Sequence, residues 1–366
     1  MSKRKIKPIR VIILVCIIGI CITLYIKNFA NEKGLRVTAW DNIYNENNIT
    51  LFYEEGKDNN KSLQSMNSTY KINEILSKEN KEIEKVLQSV DILHSIVSYD
   101  DVADSLSSDG YGILKEKGES TKVSGRDMAI IERDILLSAG ITSRVGEFRK
   151  EEPQFQSNAS YYVVEYWSDN YNKWVMIDFK DRGYLDKDGV PLSAIEIIGE
   201  DLKNLTYIGK SAQNTYRKEI KKYLYSYTIP IDNSLSMKRS NSYITYASTE
   251  KSIDLINEGR FIPATIYTTS KDLFLKSPKA EATGNDSKAY LLLMKKPMES
   301  NQDYTYIVGG FKDGKVMRDY YLRVNDGEME KVDMYHDLEL KIGDTKIELS
   351  LDGTNVVSKV ELVRDK

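Results

Sequence analysis

Apolar residues recur at helical spacing in two stretches of the first half of the chain. Between residues 72 and 99 they are Ile83, Val86, Leu87, Val90, Leu93 and Val97. In the second stretch one side carries Met128, Ile131, Ile135 and Ala139, and the polar side carries Glu132, Arg133, Asp134 and Ser138. This spacing predicts two amphipathic helices. The second has marked ends, because Ser124 and Asp127 are spaced as in a capping box and Gly140 is a natural C-terminal stop.

Alternating apolar residues then predict strands. A β-hairpin is predicted where "SDNYN" separates "YYVVEYW" from "KWVMIDF". A helix is predicted around "NTYRKEIKKYLYSY", and Pro230 ends this first folded unit. Beyond residue 231 short strands follow one another, namely "NSYITYAS", "FIPATIYTT", "AYLLLMKK", "DYTYIVGGF", "YYLRV", "LELKI" and "KIELSLD". Asp-Gly pairs at 313, 326 and 352 supply turns. The pattern is typical of a β-sandwich of immunoglobulin-like type.

The N-terminus has a basic segment followed by an uncharged run. "MSKRKIKPIR" precedes "VIILVCIIGICITLYI", which spans residues 11 to 26. As a helix this run covers roughly 24 Å, slightly less than a hydrocarbon core of roughly 30 Å, and Arg10 and Lys27 can extend it by reaching the interfaces. Basic residues before the run indicate a cytoplasmic N-terminus. A cleaved signal peptide would need small residues before the cleavage site, and "YIKNFAN" offers a poor one.

The composition of the chain excludes several classes of function. The net charge of −3 does not suit a nucleic-acid binder. Both cysteines, Cys16 and Cys21, lie inside the apolar run, so the remaining chain has neither a thiol nor a disulfide. The two histidines are His94, within a helical stretch, and His336, at the start of "HDLELKI". A Cys–His mechanism beyond the apolar run is therefore excluded.

The sequence thus predicts an α+β protein of five parts. Residues 1–10 are a cytoplasmic segment, 11–27 a transmembrane signal anchor and 28–70 a juxtamembrane lead-in. Residues 71–230 form the α+β domain and 231–366 the β-sandwich domain. We expect a single-pass membrane protein whose bulk lies outside the cytoplasm.

Four segments in order carry a family resemblance. Residues from about 72 to 200 resemble a bacterial transglutaminase-like domain, of papain-related fold. The segments that carry the resemblance are, in chain order, "GRDMAIIERDILLSAGITSRV", "YYVVEYW", "KWVMIDF" and "GVPLSAIEI". In that family a cysteine opens the helix, a histidine begins a strand and an aspartate closes the next strand. Position by position, the nucleophile slot falls on Gly125, the base slot on Tyr161 and the orienting acid on Asp178.

The family's chemistry cannot proceed with these residues. Gly125 has no side chain to acylate, and a tyrosine at position 161 with a pKa near 10 would be a poor base at neutral pH. Ser124 is adjacent, but its hydroxyl suits a helix cap. No cofactor is expected, and "DKDG" and "SSDG" lack the distant glutamate of a calcium loop, so no metal site is predicted.

Asp178 is open to two interpretations. The Tyr161 hydroxyl could donate to it, which would turn the triad into a structural hydrogen bond, since a buried carboxylate needs a partner. Alternatively, Asp178 caps the strand end before the turn at "KDRG".

These predictions favour a pseudoenzyme that binds or scaffolds at the cell envelope. Its cleft would lie between the helix start and the Tyr161 strand, with candidate contacts from Ser124, Arg126, Tyr162, Glu165 and Trp174. Expected partners are an extended peptide, a cell-wall glycan or an envelope protein. The alternative is a peptidase or acyl-transfer enzyme with a displaced nucleophile.

Overall fold

The computed structural model of the protein describes residues 35–54, 60–151, 158–235, 239–249, 253, 265–296 and 304–365. The predicted cytoplasmic segment and signal anchor, at 1–10 and 11–27, lie outside these residues. Within them no helix is both long enough and apolar enough to cross a membrane. Helices and strands are both abundant, as the α+β prediction requires.

Eight helices lie in the described ranges. They are α1 (Lys61–Tyr70), α2 (Ile72–Leu76), α3 (Glu82–Ile96), α4 (Gly110–Lys117), α5 (Gly125–Ser138), α6 (Ala194–Ile197), α7 (Gln213–Ile220) and α8 (Asp272–Leu275). Short 3-10 turns occupy Leu202–Asn204 and Lys221–Tyr223.

The first strands are β1 (Leu35–Trp40), β2 (Phe52–Tyr53), β3 (Ser98–Tyr99), β4 (Lys122–Val123), β5 (Ser143–Arg149), β6 (Ser160–Ser168), β7 (Lys173–Ile177), β8 (Tyr184–Lys187), β9 (Val190–Pro191), β10 (Thr206–Ile208), β11 (Ser226–Pro230) and β12 (Asp232–Asn233). The later strands are β13 (Tyr243–Ala247), β14 (Thr265–Thr268), β15 (Tyr290–Lys295), β16 (Thr305–Lys312), β17 (Lys315–Val316), β18 (Tyr320–Val324), β19 (Glu330–Val332), β20 (Tyr335–Glu339), β21 (Gly343–Ser350) and β22 (Val356–Arg364).

A six-stranded sheet of order β14-β13-β11-β5-β6-β7 separates two cores. Its side chains alternate between faces, as the period of a strand requires. Val164 and Val175 join the helices α1 to α5 in one cluster, here called the helical core. Val163 and Trp174 point the other way into a second cluster, the central core. The predicted hairpin is present, with Trp167 opposite Trp174.

A second sheet also has both faces covered. Alternate residues of β15 enter different clusters, Tyr290 and Leu292 the central core and Leu291 and Leu293 a third, the sandwich core. Beyond it lies a five-stranded sheet of order β1-β22-β21-β18-β19. The described chain is thus built from four layers, one helical and three of strands, with a core between each pair.

Two predicted boundaries do not coincide with these layers. β13 and β14, from the predicted β-sandwich domain, complete the six-stranded sheet, so this sheet continues across 230/231. The predicted lead-in at 28–70 contains α1, whose Met66 enters the helical core, and β1, which pairs with β22. Local periodicity identifies strands but does not say which sheet a strand joins.

The central helix α5 begins at the predicted cap residue Ser124, but the Asp127 carboxylate accepts from the Ser105 N–H at 2.9 Å instead of completing a capping box, and the helix is more deeply buried than predicted. Ser124 Oγ accepts a hydrogen bond from the Asp127 N–H at 3.1 Å, and Gly140 has a φ of +81°. The predicted polar side, however, is not exposed, because α1, α3 and α4 cover it. Asp134 accepts from the Gly110 N–H at 2.6 Å, and Ser138 donates to the Leu63 carbonyl at 3.2 Å. Neighbouring helices therefore supply the partners that solvent would otherwise provide.

Candidate functional site

Ser124 is the N-cap residue of α5, and both its oxygen and its hydroxyl proton are engaged in hydrogen bonds. Its oxygen accepts from the Asp127 N–H, while its hydroxyl donates to Asp104 Oδ1 at 2.6 Å. The side chain is buried. A hydroxyl that donates to a carboxylate and caps a helix is already engaged, and no histidine contacts it in the described part of the chain.

The space in front of Gly125 is occupied by a lysine and a tyrosine. A Cβ placed on Gly125 would lie 3.2 Å from Lys180 Nζ and 3.5 Å from Tyr162 Cδ2. Lys180 comes from the loop that follows β7, and Tyr162 comes from β6. The nucleophile slot of the resemblance therefore has an amine beside it that the sequence analysis did not single out.

Tyr161 and Asp178 form the hydrogen bond that one interpretation predicted. The Tyr161 hydroxyl donates to Asp178 Oδ2 at 2.5 Å. The other interpretation is also met, because Asp178 Oδ1 accepts from the backbone N–H groups of Lys180 at 3.0 Å and Asp181 at 3.2 Å. One carboxylate thus ties β6 to β7 and caps the end of β7.

Burial dominates the electrostatics of this pair. Asp178 is fully buried, which raises the pKa of its carboxyl against the opposing effects of the Tyr161 hydroxyl, backbone N–H groups and Lys180. Burial raises the pKa of Tyr161 well above 10, and the neighbouring carboxylate raises it further. The tyrosine consequently keeps its proton at neutral pH and cannot act as a base.

Lys180 links the three slots in space. Its Nζ lies near Gly125, 4.9 Å from the centroid of the Tyr161 ring and 4.2 Å from that of Tyr99 on β3. Since Tyr161 in turn holds Asp178, the three positions matched from the sequence converge on one region. Lys180 and Tyr99 were missed because neither belongs to the family pattern. The only available signal was the position of Lys180, two residues after Asp178.

Several tyrosine rings pack against one another near Asp178. The Tyr207 and Tyr216 rings stack with centroids 3.6 Å apart, and the Tyr161 and Tyr223 rings lie 5.1 Å apart. The Tyr207 hydroxyl donates to Asp181. Stacked and hydrogen-bonded rings of this kind hold the β6 and β7 ends in place.

Two predicted cleft residues are corrected by the structure. Glu165 and Trp174 are fully buried, since alternation along β6 and β7 turns both into the central core. Glu165 pairs there with Arg144, and the Arg144 guanidinium lies 4.0 Å from the centroid of the Trp174 ring. They stabilise the fold rather than line a surface.

The other cleft candidates remain near the slot. Tyr162 is half-buried beside Gly125. Arg126 keeps 31% of its side chain exposed while donating to the Ser105 carbonyl at 3.3 Å and to Asp127 at 3.2 Å. Tyr99 is 47% exposed. These three side chains border the region that a ligand could reach.

Neither histidine takes the base position. His94 Nε2 lies 2.8 Å from the Phe179 carbonyl, so this ring contacts the backbone behind the slot. His336 lies on β20, opposite Val308. In the described ranges no group of three or more His, Cys, Asp or Glu side chains could hold a metal ion.

A surface cavity of about 350 Å³ lies elsewhere. It is lined by residues 50–53, Arg239 and residues 278–282. None of the slot residues contributes to its lining, so this cavity is separate from the candidate site.

Removing the Tyr161 hydroxyl should destabilise the protein. We expect Tyr161→Phe to lower the free energy of unfolding by about 1–3 kcal/mol, because a buried carboxylate oxygen loses its donor. Urea denaturation followed by circular dichroism measures the change. Tyr223→Phe is the matched control, since the neighbouring Tyr223 ring makes no hydrogen bond through its hydroxyl among the described residues, and its loss should change stability little. Equal effects of the two variants would contradict a structural role for the Tyr161–Asp178 bond.

Comparisons with known proteins find similarity among solved structures. A scan against protein-family models and a search of curated proteins give no match. Among solved structures, a "putative cysteine protease" from Cytophaga hutchinsonii is 16% identical with a TM-score of 0.26, over 41% of this chain and 42% of that one. Red sea bream transglutaminase is 10% identical with a TM-score of 0.30, over 87% of this chain and 62% of that one.

The chain therefore spans less than two thirds of either structural neighbour. TM-scores of 0.26 and 0.30 are too low for the shared names to carry an argument. The transglutaminase-like interpretation rests instead on the ordered sequence motifs and on the convergence of the three slots.

Proposed function

We propose that the protein is a membrane-anchored, extracytoplasmic pseudoenzyme of transglutaminase-like type that binds or scaffolds at the cell envelope. The proposal rests on the residues that stand at the three catalytic positions of the resemblance, Gly125, Tyr161 and Asp178. Gly125 offers no nucleophilic atom, and the Tyr161 hydroxyl is committed to Asp178 at 2.5 Å. A site whose nucleophile is missing and whose base position is a protonated tyrosine can still bind a ligand.

Membrane anchoring is supported by sequence alone. The basic segment 1–10 and the uncharged run 11–26 suit a signal anchor with the N-terminus in the cytoplasm. The remaining chain would then face the envelope without a thiol, and an immunoglobulin-like arrangement of the C-terminal strands would suit a binding module.

The proposed ligand is an extended peptide or glycan lying across the start of α5. Half-exposed Tyr99, half-buried Tyr162 and partly exposed Arg126 offer aromatic faces and a guanidinium at this surface. Tyrosine rings have an apolar face and a polar edge, which suits both sugars and peptide backbones. Because Gly125 has no side chain, Lys180 and Tyr162 lie directly against the helix start and would form the floor beneath such a ligand.

Binding to isolated cell walls tests this proposal. We expect the full-length protein in detergent micelles to sediment with purified wall material, and the paired replacement Tyr99→Ala and Arg126→Ala to weaken binding about tenfold. Tyr335→Ala is the control, because Tyr335 is 44% exposed on β20, away from the α5 start. Capture of envelope proteins instead of wall glycan would support the scaffolding form. Unchanged binding by the paired variant would contradict the proposed surface.

The enzymatic alternative has a direct test. If Ser124 served as a displaced nucleophile, a fluorophosphonate probe would label the protein and Ser124→Ala would abolish the labelling. Because the Ser124 hydroxyl caps α5 and donates to Asp104, we expect no labelling. Labelling that disappears in Ser124→Ala would replace the pseudoenzyme proposal with a hydrolase or acyl-transfer enzyme.

A further inference from the structure

Lys180 is a partly buried lysine whose ammonium group lies between two tyrosine rings and beside Gly125. In the described part of the chain it has no hydrogen-bond acceptor and no carboxylate within ion-pair distance, although it is only partly exposed. Lys276, also partly buried, donates to the carbonyls of Asn47 at 2.7 Å and Ile49 at 3.0 Å. Partial burial of an amine without an acceptor makes its ammonium form costly, which favours the neutral form.

The surroundings of Lys180 are mainly aromatic. Tyr99 of β3 and Tyr161 of β6 present ring faces to the nitrogen, at 4.2 Å and 4.9 Å from the ring centroids. Tyr162, also of β6, closes the side toward Gly125. The facing charge is Asp178 at the end of β7, which already accepts three hydrogen bonds from other groups.

Opposing effects act on the protonation of this amine. Burial lowers the pKa of Lys180, and Asp178 opposes the change. The N-terminal end of α5 carries a partial positive charge and faces the same nitrogen, which further disfavours the ammonium form. The ring faces act in the other direction, because they attract a cation. Partial burial still leaves a path for a small ligand.

The position of Lys180 would let its amine react with a ligand bound at the start of α5. Its nitrogen lies 3.2 Å from where a side chain at Gly125 would begin, so it stands where the resemblance places a nucleophile. A desolvated lysine amine is an established nucleophile toward carbonyl groups. With an ester or thioester the amine would form an amide and lose its reactivity permanently. With an aldehyde it forms an imine that water reverses.

We propose that Lys180 is a reactive amine that binds aldehyde-bearing ligands as a reversible imine at the start of α5. The unprotonated Nζ attacks the carbonyl carbon, a C–N bond forms and the carbonyl electron pair moves to oxygen, which takes up a proton. The carbinolamine then loses water as the C=N bond forms, and the nitrogen gives up its second proton. Amine and aldehyde thus yield imine and water, with no change of oxidation state. This step goes beyond the proposed envelope binding and does not depend on it.

Reductive trapping on the full-length protein tests the proposal. The protein in micelles is treated with limiting butanal or, in a second arm, ribose, together with cyanoborohydride at pH 7, and modified lysines are mapped by mass spectrometry. We expect Lys180 to be modified several-fold faster than Lys276 and Lys122. Butanal labelling alone would assign an aliphatic aldehyde, and ribose labelling would assign a sugar.

Two variants make the outcome decisive. Lys180→Arg should remove the fast phase and leave the slow modification of other lysines unchanged. Gly125→Ala should slow the fast phase several-fold, because the added Cβ would lie 3.2 Å from the amine while leaving the amine itself present. Thermal denaturation checks that both variants fold. Modification of Lys180 no faster than that of exposed Lys122 in either arm would overturn the proposal, whereas cell-wall binding, measured without reductant, would be unaffected.

Discussion

Arg144→Met is expected to lower the free energy of unfolding by about 3–5 kcal/mol, because it leaves the Glu165 carboxylate buried without its counter-charge. Both side chains are fully buried, with Arg144 Nη2 2.7 Å from Glu165 Oε2. Arg144 also donates to the Tyr53 hydroxyl at 3.1 Å and to the Phe274 carbonyl at 2.6 Å. One guanidinium therefore joins β5, β6, β2 and α8. Urea denaturation followed by tryptophan fluorescence measures the loss.

A half-exposed ion pair in the C-terminal sheet is the matched control. Arg323 Nε lies 2.6 Å from Glu348, but 35% of the Arg323 side chain is exposed, so Arg323→Met should cost less than about 1 kcal/mol. Replacing Arg144 and Glu165 together, by Met and Leu, should cost less than the two single changes added. Additive single changes, or an Arg144→Met loss as small as that of Arg323→Met, would contradict the described coupling.

Glu132→Gln is expected to remove a large part of the pH dependence of stability. Glu132 is fully buried in α5, which raises the pKa of its carboxyl to about 8. Ser89 donates to its Oε1 at 2.6 Å, while Oε2 has no partner. The folded state therefore holds a proton that the unfolded state releases near its ordinary pKa of 4.5.

The sign of the effect follows from this raised pKa. Below 4.5 both states are protonated and the group costs nothing, whereas between about 4.5 and 8 each pH unit removes about 1.4 kcal/mol of stability, and the loss levels off above 8. Glutamine stays neutral and keeps an oxygen for Ser89. The variant and the original protein should therefore match near pH 4.5, and the variant should be several kcal/mol more stable at pH 8.

Urea denaturation across pH 4.5 to 8.5 measures the two curves. Other buried carboxyls whose pKa is raised, at Asp134 and Asp178, titrate in both proteins and cancel in the difference. Ser89→Ala is a useful control, because it removes the hydroxyl but leaves the titrating group in place, and should keep the slope. Parallel curves for Glu132→Gln and the original protein would show that Glu132 ionises without cost.

The sequence predicts local structure well where it carries its own signals. α5 begins after Ser124 and ends before Gly140, because a cap and a C-terminal glycine are local features. The β6–β7 hairpin follows from alternation and a short turn. β22 was missed, because adjacent apolar pairs in "VVSKVELVR" interrupt the alternation, and it proves to be the partner of both β1 and β21.

Side-chain environment was predicted less well, for a physical reason. Helical spacing put Glu132 and Asp134 on the polar side of α5, yet neighbouring helices cover both side chains. Trp174 looked like a ligand contact, but the parity of β7 turns it into the central core. The hydrogen bond between Tyr161 and Asp178, which one interpretation predicted, is present. Lys180 was missed, because its place beside Gly125 depends on the path of the loop after β7.

The pairing of β1 with β22 has a consequence for biosynthesis. Leu35 lies opposite Arg364, so the hydrogen-bonding edge of β1 stays uncovered until β22, more than 300 residues later in the sequence, has been synthesised. During synthesis this edge has no native partner, and exposed strand edges favour wrong association. Folding of the outermost sheet must therefore follow synthesis of β22, and a nascent chain that stops before β22 would lack the strand that covers the edge of β1.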